Sequence, residues 1–196
     1  MMRTAEFARK TKETDICLKV NLDGSGQTEL ATGVGFFDHM LDALSRFAQL
    51  DLTLSCAGDL HVDAHHTVED VGICLGKAIR EALGDRCGIR RVGSAYMPMD
   101  EALAFAAIDI SGRPYLAWHA HFSTPMCGTM DTALAEEFFR ALVVNAGLTA
   151  HMDLMAGRND HHKMEALFKA FGLALRDAVR LDEGISGVLS TKGSLD

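Results

Sequence analysis

Two short segments of the chain combine histidines and a glutamate at a spacing that can hold a metal ion. His65–Glu69 and His161–Glu165 both read His-His-x-x-Glu and lie 96 residues apart. On a helix, side chains four residues apart lie on one face, so the first histidine and the glutamate of each segment can bind one ion together. Imidazole and carboxylate ligands without sulfur suit manganese, iron or zinc.

The second histidine of each segment, His66 or His162, points about 100° away around the helix and must face a different site. Because the segments are duplicated, exchanging the two halves of the chain should convert one metal site into the other. This symmetry predicts two four-ligand sites, each with one helix pair and two ligands from the opposite half. The first would contain His65, Glu69, His162 and Glu137, and the second would contain His161, Glu165, His66 and His39. The alternative is that the paired histidines cap helices or form hydrogen-bonded surface clusters.

The similarity between the two segments extends over most of the chain. Glu13–Ile16 matches Glu101–Ala104 at an offset of 88, and His39–Leu44 matches Glu137–Leu142 at an offset of 98. The change in offset places about ten extra residues in the second copy, ahead of Glu137–Leu142. An internal repeat of this length indicates two copies of one structural unit.

The pattern of apolar residues predicts the same elements in each copy. Residues 1–93 and 94–186 would each form a β-β-α-β-α half, followed by a tail at 187–196. In the first half, Asp23–Gly26 has the composition of a hairpin turn that joins the first two strands. Helical spacing then begins at Asp38. The predicted fold class is α+β, with two pseudo-equivalent halves, each a sheet covered on one face by two helices.

The composition argues against several classes of protein. With 19 Lys+Arg against 27 Asp+Glu, the formal net charge is −8, which does not favour nucleic-acid binding. No apolar run reaches the roughly 18 residues that a membrane helix needs, and the charged start does not resemble a signal peptide. The five cysteines are odd in number and never spaced Cys-x-x-Cys, so a disulfide framework or a thiolate zinc site is not expected. We predict a cytoplasmic protein with no nucleic-acid or membrane partner.

Four motifs resemble the imidazoleglycerol-phosphate dehydratase family. In chain order they are Gly35–Leu41, Asp63–Asp70, Ser111–Tyr115 and Asn159–His162. The resemblance extends from Thr11 to Lys192. It implies two duplicated α+β halves and a lyase that dehydrates imidazole glycerol phosphate to imidazole acetol phosphate in histidine biosynthesis. It also implies two Mn²⁺ ions per active site, and those ions would stabilise an imidazolate and a diazafulvene-like intermediate.

The resemblance further implies roles for individual residues. Glu13 matches a carboxylate that transfers protons, and the pairs His65/Glu69 and His161/Glu165 take part in catalysis through the metals. Positions that bind the substrate, chiefly its phosphate, correspond to Glu13, Arg91, Arg113, Lys169, Ser190 and Lys192. At Glu137 the chain departs from some relatives, which have a histidine there, although a carboxylate can also bind manganese.

The family assembles as an octahedral homo-oligomer with metal sites between subunits, so the resemblance implies a 24-mer here. Two other classes of function remain open from the residues themselves. A dinuclear metal-dependent phosphatase would use the same ligands to activate a bound water. A non-enzymatic assembly protein would use the metal only to join subunits, although basic residues able to reach one phosphate, with Glu13 nearby, count against this reading.

Overall fold

The computed structural model describes residues 2–195, and the order of elements repeats between the two halves. The first half contains β1 (Thr4–Lys10), β2 (Thr14–Asn21), β3 (Thr28–Ala31), α1 (Gly35–Ala48), β4 (Asp51–Gly58) and α2 (His65–Leu83). The second half contains β5 (Val92–Met99), β6 (Ala102–Asp109), β7 (Tyr115–His119), β8 (Met126–Cys127), β9 (Met130–Asp131), α3 (Leu134–Ala146), β10 (Thr149–Ala156) and α4 (Asp160–Val179). The duplicated α+β architecture predicted from the sequence is therefore confirmed.

The main sheet of each half has one strand more than the sequence pattern predicts. β1 and β5 lie at the start of the two halves and pair antiparallel with β2 and β6. Ala5 is the one buried residue of β1, and β5 contains Gly93 and Pro98, which are weak strand formers, so neither segment has strong apolar alternation. The small β8–β9 hairpin occupies part of the extra sequence in the second half.

The hairpin predicted at Asp23–Gly26 is wrong. The sheet order is β1-β2-β4-β3, so β3 lies parallel to β4 at the edge and does not pair with β2. The turn is instead tied to β4, because the Asp51 carboxylate accepts hydrogen bonds from the backbone N–H groups of Ser25 and Gln27 at 2.8 and 3.0 Å. Parallel strands need a crossover, and α1 provides it. The second sheet repeats this topology in the order β5-β6-β10-β7.

The four helices form a shared middle layer between the two sheets. α1 packs against α4 and α2 packs against α3, so each helix pair joins the two halves. Phenylalanines fill this layer: the Phe37 and Phe138 rings lie 5.2 Å apart and the Phe138 and Phe168 rings 5.4 Å apart. Each sheet is therefore covered on one face by helices. Within residues 2–195, every helix is too short or insufficiently apolar to cross a bilayer.

Glycines set the close approach of the paired helices. A Cβ atom on Gly72 would lie 2.7 Å from the Phe138 carbonyl oxygen, and one on Gly76 would lie 2.5 Å from that of Leu142. These two contacts also show that α2 and α3 run parallel, with their N-termini at the same end. The matched contact between α4 and α1 is Gly172 against the Leu44 carbonyl oxygen, at 2.5 Å. Parallel pairing brings the ends that carry the histidines together.

Gly76→Ala is expected to lower the free energy of unfolding by about 1–3 kcal/mol, because the added methyl forces the helix backbones apart. Denaturant unfolding measures this change. Gly35→Ala is the matched control, since a Cβ at this helical glycine meets nothing within 4 Å. A Gly76→Ala protein as stable as the Gly35→Ala control would contradict the close packing.

Candidate metal centre

One group of potential metal ligands lies at the contact between α1 and α4. Nε2 of His39 and Nε2 of His161 each lie 3.2 Å from Oε2 of Glu165. The ligand atoms of these three residues all lie within 4.8 Å of one another. Two imidazole nitrogens and a carboxylate oxygen at this spacing suit a divalent transition metal. The arrangement fits three of the four ligands predicted for the second site.

Glu165 is the buried member of this group, and a lysine balances its charge. Burial raises the pKa of Glu165, but hydrogen bonding and attraction from Lys169, together with His39, more than offset this and bring the pKa below its usual value. Nζ of Lys169 lies 2.6 Å from Oε1 of Glu165. The carboxylate is thus held in its ionised form, which is the form that binds metal.

A second, looser group lies where α2 meets α3. Nε2 of His65 lies 3.9 Å from Oε2 of Glu69, as their four-residue spacing predicts. Glu137, from the first turn of α3, lines the same cavity of about 600 Å³ as His65. Oε2 of Glu137 lies 3.8 Å from Nε of Arg140. These are three of the four ligands predicted for the first site.

His66 and His162 lie outside both groups and contact carboxylates of their own halves. Nδ1 of His66 lies 3.0 Å from Oδ2 of Asp59, and Nδ1 of His162 lies 2.8 Å from Oε2 of Glu101. The ring centroids of the paired histidines are 6.0 Å apart in the first half and 6.2 Å apart in the second. Among residues 2–195 of a single chain, neither predicted set of four ligands comes together.

The start of each histidine helix is fixed in the same way. The Asp63 side chain accepts a hydrogen bond from the His65 backbone N–H at 2.8 Å, and the Asn159 side chain accepts one from His161 at 3.0 Å. Asp and Asn are preferred at helix starts because they satisfy free N–H groups of the first turn. Both His-His-x-x-Glu segments therefore lie at the start of their helices, α2 from His65 and α4 from Asp160.

Glu13 lies in the loop between β1 and β2, beside His66. Its Oε1 atom is 3.9 Å from Nε2 of His66, and its side chain is about half exposed. Its backbone carbonyl accepts a hydrogen bond from the Asp59 N–H at 3.0 Å. An exposed carboxylate next to a potential metal ligand is suitably placed for proton transfer.

Comparison with known proteins identifies the family to which this arrangement belongs. The family model described as imidazoleglycerol-phosphate dehydratase matches residues 32–175. The imidazoleglycerol-phosphate dehydratase of Acetivibrio thermocellus is 56% identical over 195 residues, which cover 100% of both chains. This chain belongs to the imidazoleglycerol-phosphate dehydratase family. The family member from Symbiobacterium thermophilum is 58% identical over 193 residues, covering 98% of this chain and 93% of its own.

Solved structures of the dehydratase family have the same fold. The Staphylococcus aureus enzyme aligns with a TM-score of 0.83 at 41% identity, covering 91% of this chain and 99% of that chain. The Pyrococcus furiosus enzyme also aligns with a TM-score of 0.83, at 37% identity, covering 96% of this chain and 100% of that chain. The protein is accordingly a hydro-lyase of histidine biosynthesis, and the comparisons do not support the metal-dependent phosphatase.

The residues expected to bind phosphate in this dehydratase fall in separate places. Nε and Nη2 of Arg91 donate to Asp109 at 2.7 and 2.9 Å, and Nη1 donates to the Leu189 carbonyl at 2.8 Å. Ser190 accepts a hydrogen bond from the Lys192 backbone N–H at 3.1 Å. The Arg91 backbone N–H donates to the Ala178 carbonyl near the end of α4. At 1.5 Å per residue, this point lies about 20 Å along the helix from Glu165.

Arg113 and Lys169 differ from this group in their surroundings. The Arg113 backbone N–H donates to Oγ of Ser111 at 3.1 Å, and its side chain is exposed. Lys169, as described above, pairs with Glu165 of the metal-binding group. Within the described chain, the basic residues near Ser190 therefore do not share one pocket with the His39–His161–Glu165 group.

Asp59 and Glu101 are the polar partners that sequence reasoning did not assign to the site. Glu101 could have been found from the repeat, because it matches Glu13. The hydrogen bond from His162, followed by the backbone N–H groups of Asn159 and Arg158, lowers the pKa of Glu101 to about 2. Hydrogen bonding to Asp59 raises the pKa of His66, and hydrogen bonding to Glu101 raises that of His162.

Proposed function

We propose that this dehydratase removes water from imidazole glycerol phosphate to give imidazole acetol phosphate. Its identity of more than half to named dehydratases, over the full length, supports this substrate. The structural observation that carries the proposal is the His39–His161–Glu165 group, whose ligand atoms lie within 4.8 Å of one another. The proposal also retains the cytoplasmic location that the cysteine pattern predicts.

Two Mn²⁺ ions per active site form part of the proposal. His39, His161 and Glu165 would hold one ion with a His66, and His65, Glu69 and Glu137 would hold the other with a His162. The donor sets support this metal, since they combine imidazole nitrogens with carboxylate oxygens and contain no thiolate. Glu137 gives its site two carboxylates, and such oxygen ligands favour manganese over zinc.

The histidine that completes each site would come from a neighbouring subunit. His66 and His162 contact Asp59 and Glu101 and do not reach the other ligands of their predicted sets in the same chain. The backbone of the expected phosphate-binding residue Arg91 also contacts α4 at Ala178, about 20 Å along the helix from Glu165. Contacts between subunits would complete both ligand sets and would bring the phosphate-binding residues of one chain to the metals of another. The family resemblance implies that these contacts form in a 24-mer.

The proton removed in this reaction lies on a carbon with no carbonyl beside it, so the imidazole ring must accept the electrons of the C–H bond. Bound metal would supply Lewis-acid stabilisation of the resulting negative charge. Glu13 would accept the proton, because its exposed carboxylate lies beside the ligand His66. Arg91, Arg113 and Lys192 would bind the phosphate through charged N–H groups, with Ser190 as a further donor.

Metal analysis of single variants tests the two-site arrangement. His66→Ala and His162→Ala are each expected to lose one of the two bound ions and most product formation, because adjacent histidines serve different sites. His151→Ala is the control, since this exposed histidine lies in β10, outside the proposed ligand sets. Two ions per chain in both ligand variants would contradict the sites. Release of inorganic phosphate in place of imidazole acetol phosphate would contradict the reaction.

A further inference from the structure

We propose that Asp59 and Glu101 are positioning residues that keep the proton of His66 and His162 on Nδ1, so that Nε2 is free to bind metal. This inference rests on the proposed metal sites. A neutral imidazole carries one N–H, and a carboxylate beside Nδ1 selects the form that donates from that nitrogen. The two contacts, at 3.0 and 2.8 Å, both involve Nδ1. The outward histidines are thus oriented before a subunit contact forms.

The two positioning carboxylates occupy different places in the repeat. Glu101 matches Glu13, whereas Asp59 follows β4 where Gly157 follows β10. A Cβ on Gly157 would lie 2.8 Å from Cγ of Lys163 and 3.1 Å from Cβ of Ala102, and the φ of +143° also disfavours a side chain. A counterpart of Asp59 does not fit in the second half, so Glu101 takes its role there.

Because Asp59 positions His66 in the first half, the Glu13 carboxylate is available for proton transfer. In the first half Asp59 binds Nδ1 of His66, so the Glu13 carboxylate lies on the Nε2 side, at 3.9 Å. In the second half both carboxylate oxygens of Glu101 are hydrogen-bonded. Oε2 contacts His162, and Oε1 accepts hydrogen bonds from the backbone N–H groups of Arg158 and Asn159 at 3.0 and 2.7 Å. Of the two matched glutamates, Glu13 is therefore the one available for proton transfer.

The surroundings of the two carboxylates predict different responses to amide substitution. Oδ1 of Asp59 is buried and has no hydrogen-bond partner among the described residues. In Asp59→Asn no hydrogen bond fixes the amide, so its oxygen can turn towards Nδ1 of His66, at the cost of a buried NH₂ group without an acceptor. In Glu101→Gln the two backbone N–H groups hold the amide oxygen, so the NH₂ group faces Nδ1 of His162. The imidazole must then accept at Nδ1 and carry its proton on Nε2, the nitrogen that would bind metal, which weakens metal binding.

The test is Mn²⁺ titration of the metal-depleted protein by calorimetry, with the histidine tautomers read by nitrogen NMR before metal is added. Glu101→Gln and Asp59→Ala are each expected to weaken the binding of one ion by about 10–100-fold. Asp59→Asn, whose amide no hydrogen bond fixes, should weaken binding by less than Glu101→Gln. In Glu101→Gln the His162 proton should move from Nδ1 to Nε2. Thermal unfolding of each metal-free variant checks that it is folded.

Asp153→Ala is the matched control, because it removes another aspartate–histidine contact. Oδ1 of Asp153 on β10 lies 2.7 Å from Nδ1 of His119 on the neighbouring strand β7. This substitution should leave the affinity for both Mn²⁺ ions unchanged. Unchanged affinity in Asp59→Ala and Glu101→Gln, or a His162 proton that stays on Nδ1 in Glu101→Gln, would overturn the positioning role. If His66→Ala and His162→Ala keep both ions, the proposed metal sites fail, and the NMR tautomers still decide whether the carboxylates position these rings.

Discussion

Glu13→Gln is expected to lower kcat by about 10²–10⁴-fold while the bound metal and the thermal stability stay unchanged. Glutamine keeps the size of the side chain and removes its ability to accept a proton. The Glu13 side chain is exposed, and its one ionic contact among residues 2–195 is the 3.9 Å approach to His66, so folding does not depend on it. Steady-state kinetics, metal analysis and thermal unfolding measure the three quantities.

Glu6→Gln is a matched control for this experiment. Glu6 is an exposed glutamate of β1, the strand before the Glu13 loop, and it pairs with Lys19 at 2.8 Å on the neighbouring strand. This substitution should leave kcat at the wild-type value. Near-normal turnover in Glu13→Gln would show that another group transfers the proton and that the family role does not apply to Glu13.

Removal of the metal by a chelator is expected to abolish activity and to separate the enzyme into small oligomers. Ions bound only by the assembled state stabilise that state by mass action, so their loss shifts the equilibrium towards free subunits. His66 and His162, held on the carboxylates of their own halves, are the ligands that would join one subunit to the next. Light scattering and activity measurements follow both changes, and added Mn²⁺ should reverse them.

A double variant, His66→Ala with His162→Ala, provides the control for chelation. It lacks the two bridging ligands and should be a small oligomer with or without chelator. A wild-type assembly that keeps its size after complete metal removal would contradict the role of metal in assembly. So would a monomer that binds both ions and retains full activity.

The helices of this protein could be predicted from local sequence, whereas the strand pairing could not. Apolar residues recur at helical spacing in α2, at Val71, Leu75 and Ala78, and all three are fully buried. The predicted hairpin does not form because a residue distant in sequence binds the turn. Asp51 binds the turn at Ser25 and Gln27 from β4, and the chain then continues into a strand beside β4.

The sequence by itself determined the duplication and the pairs His65/Glu69 and His161/Glu165, because the repeat and the helical period are local properties. The tertiary structure decided what meets each pair: parallel packing of α1 on α4 brings His39 to Glu165 at 3.2 Å. It also decided which carboxylate contacts the second histidine of each pair, whose direction away from these groups already follows from the helical period. Asp59 has no counterpart at Gly157, so the repeat could not reveal its role, although it points to Glu101 through the match to Glu13. Contacts between residues distant in sequence depend on packing. Packing alone distinguishes Glu13, which has an available carboxylate, from Glu101, whose two carboxylate oxygens are both hydrogen-bonded.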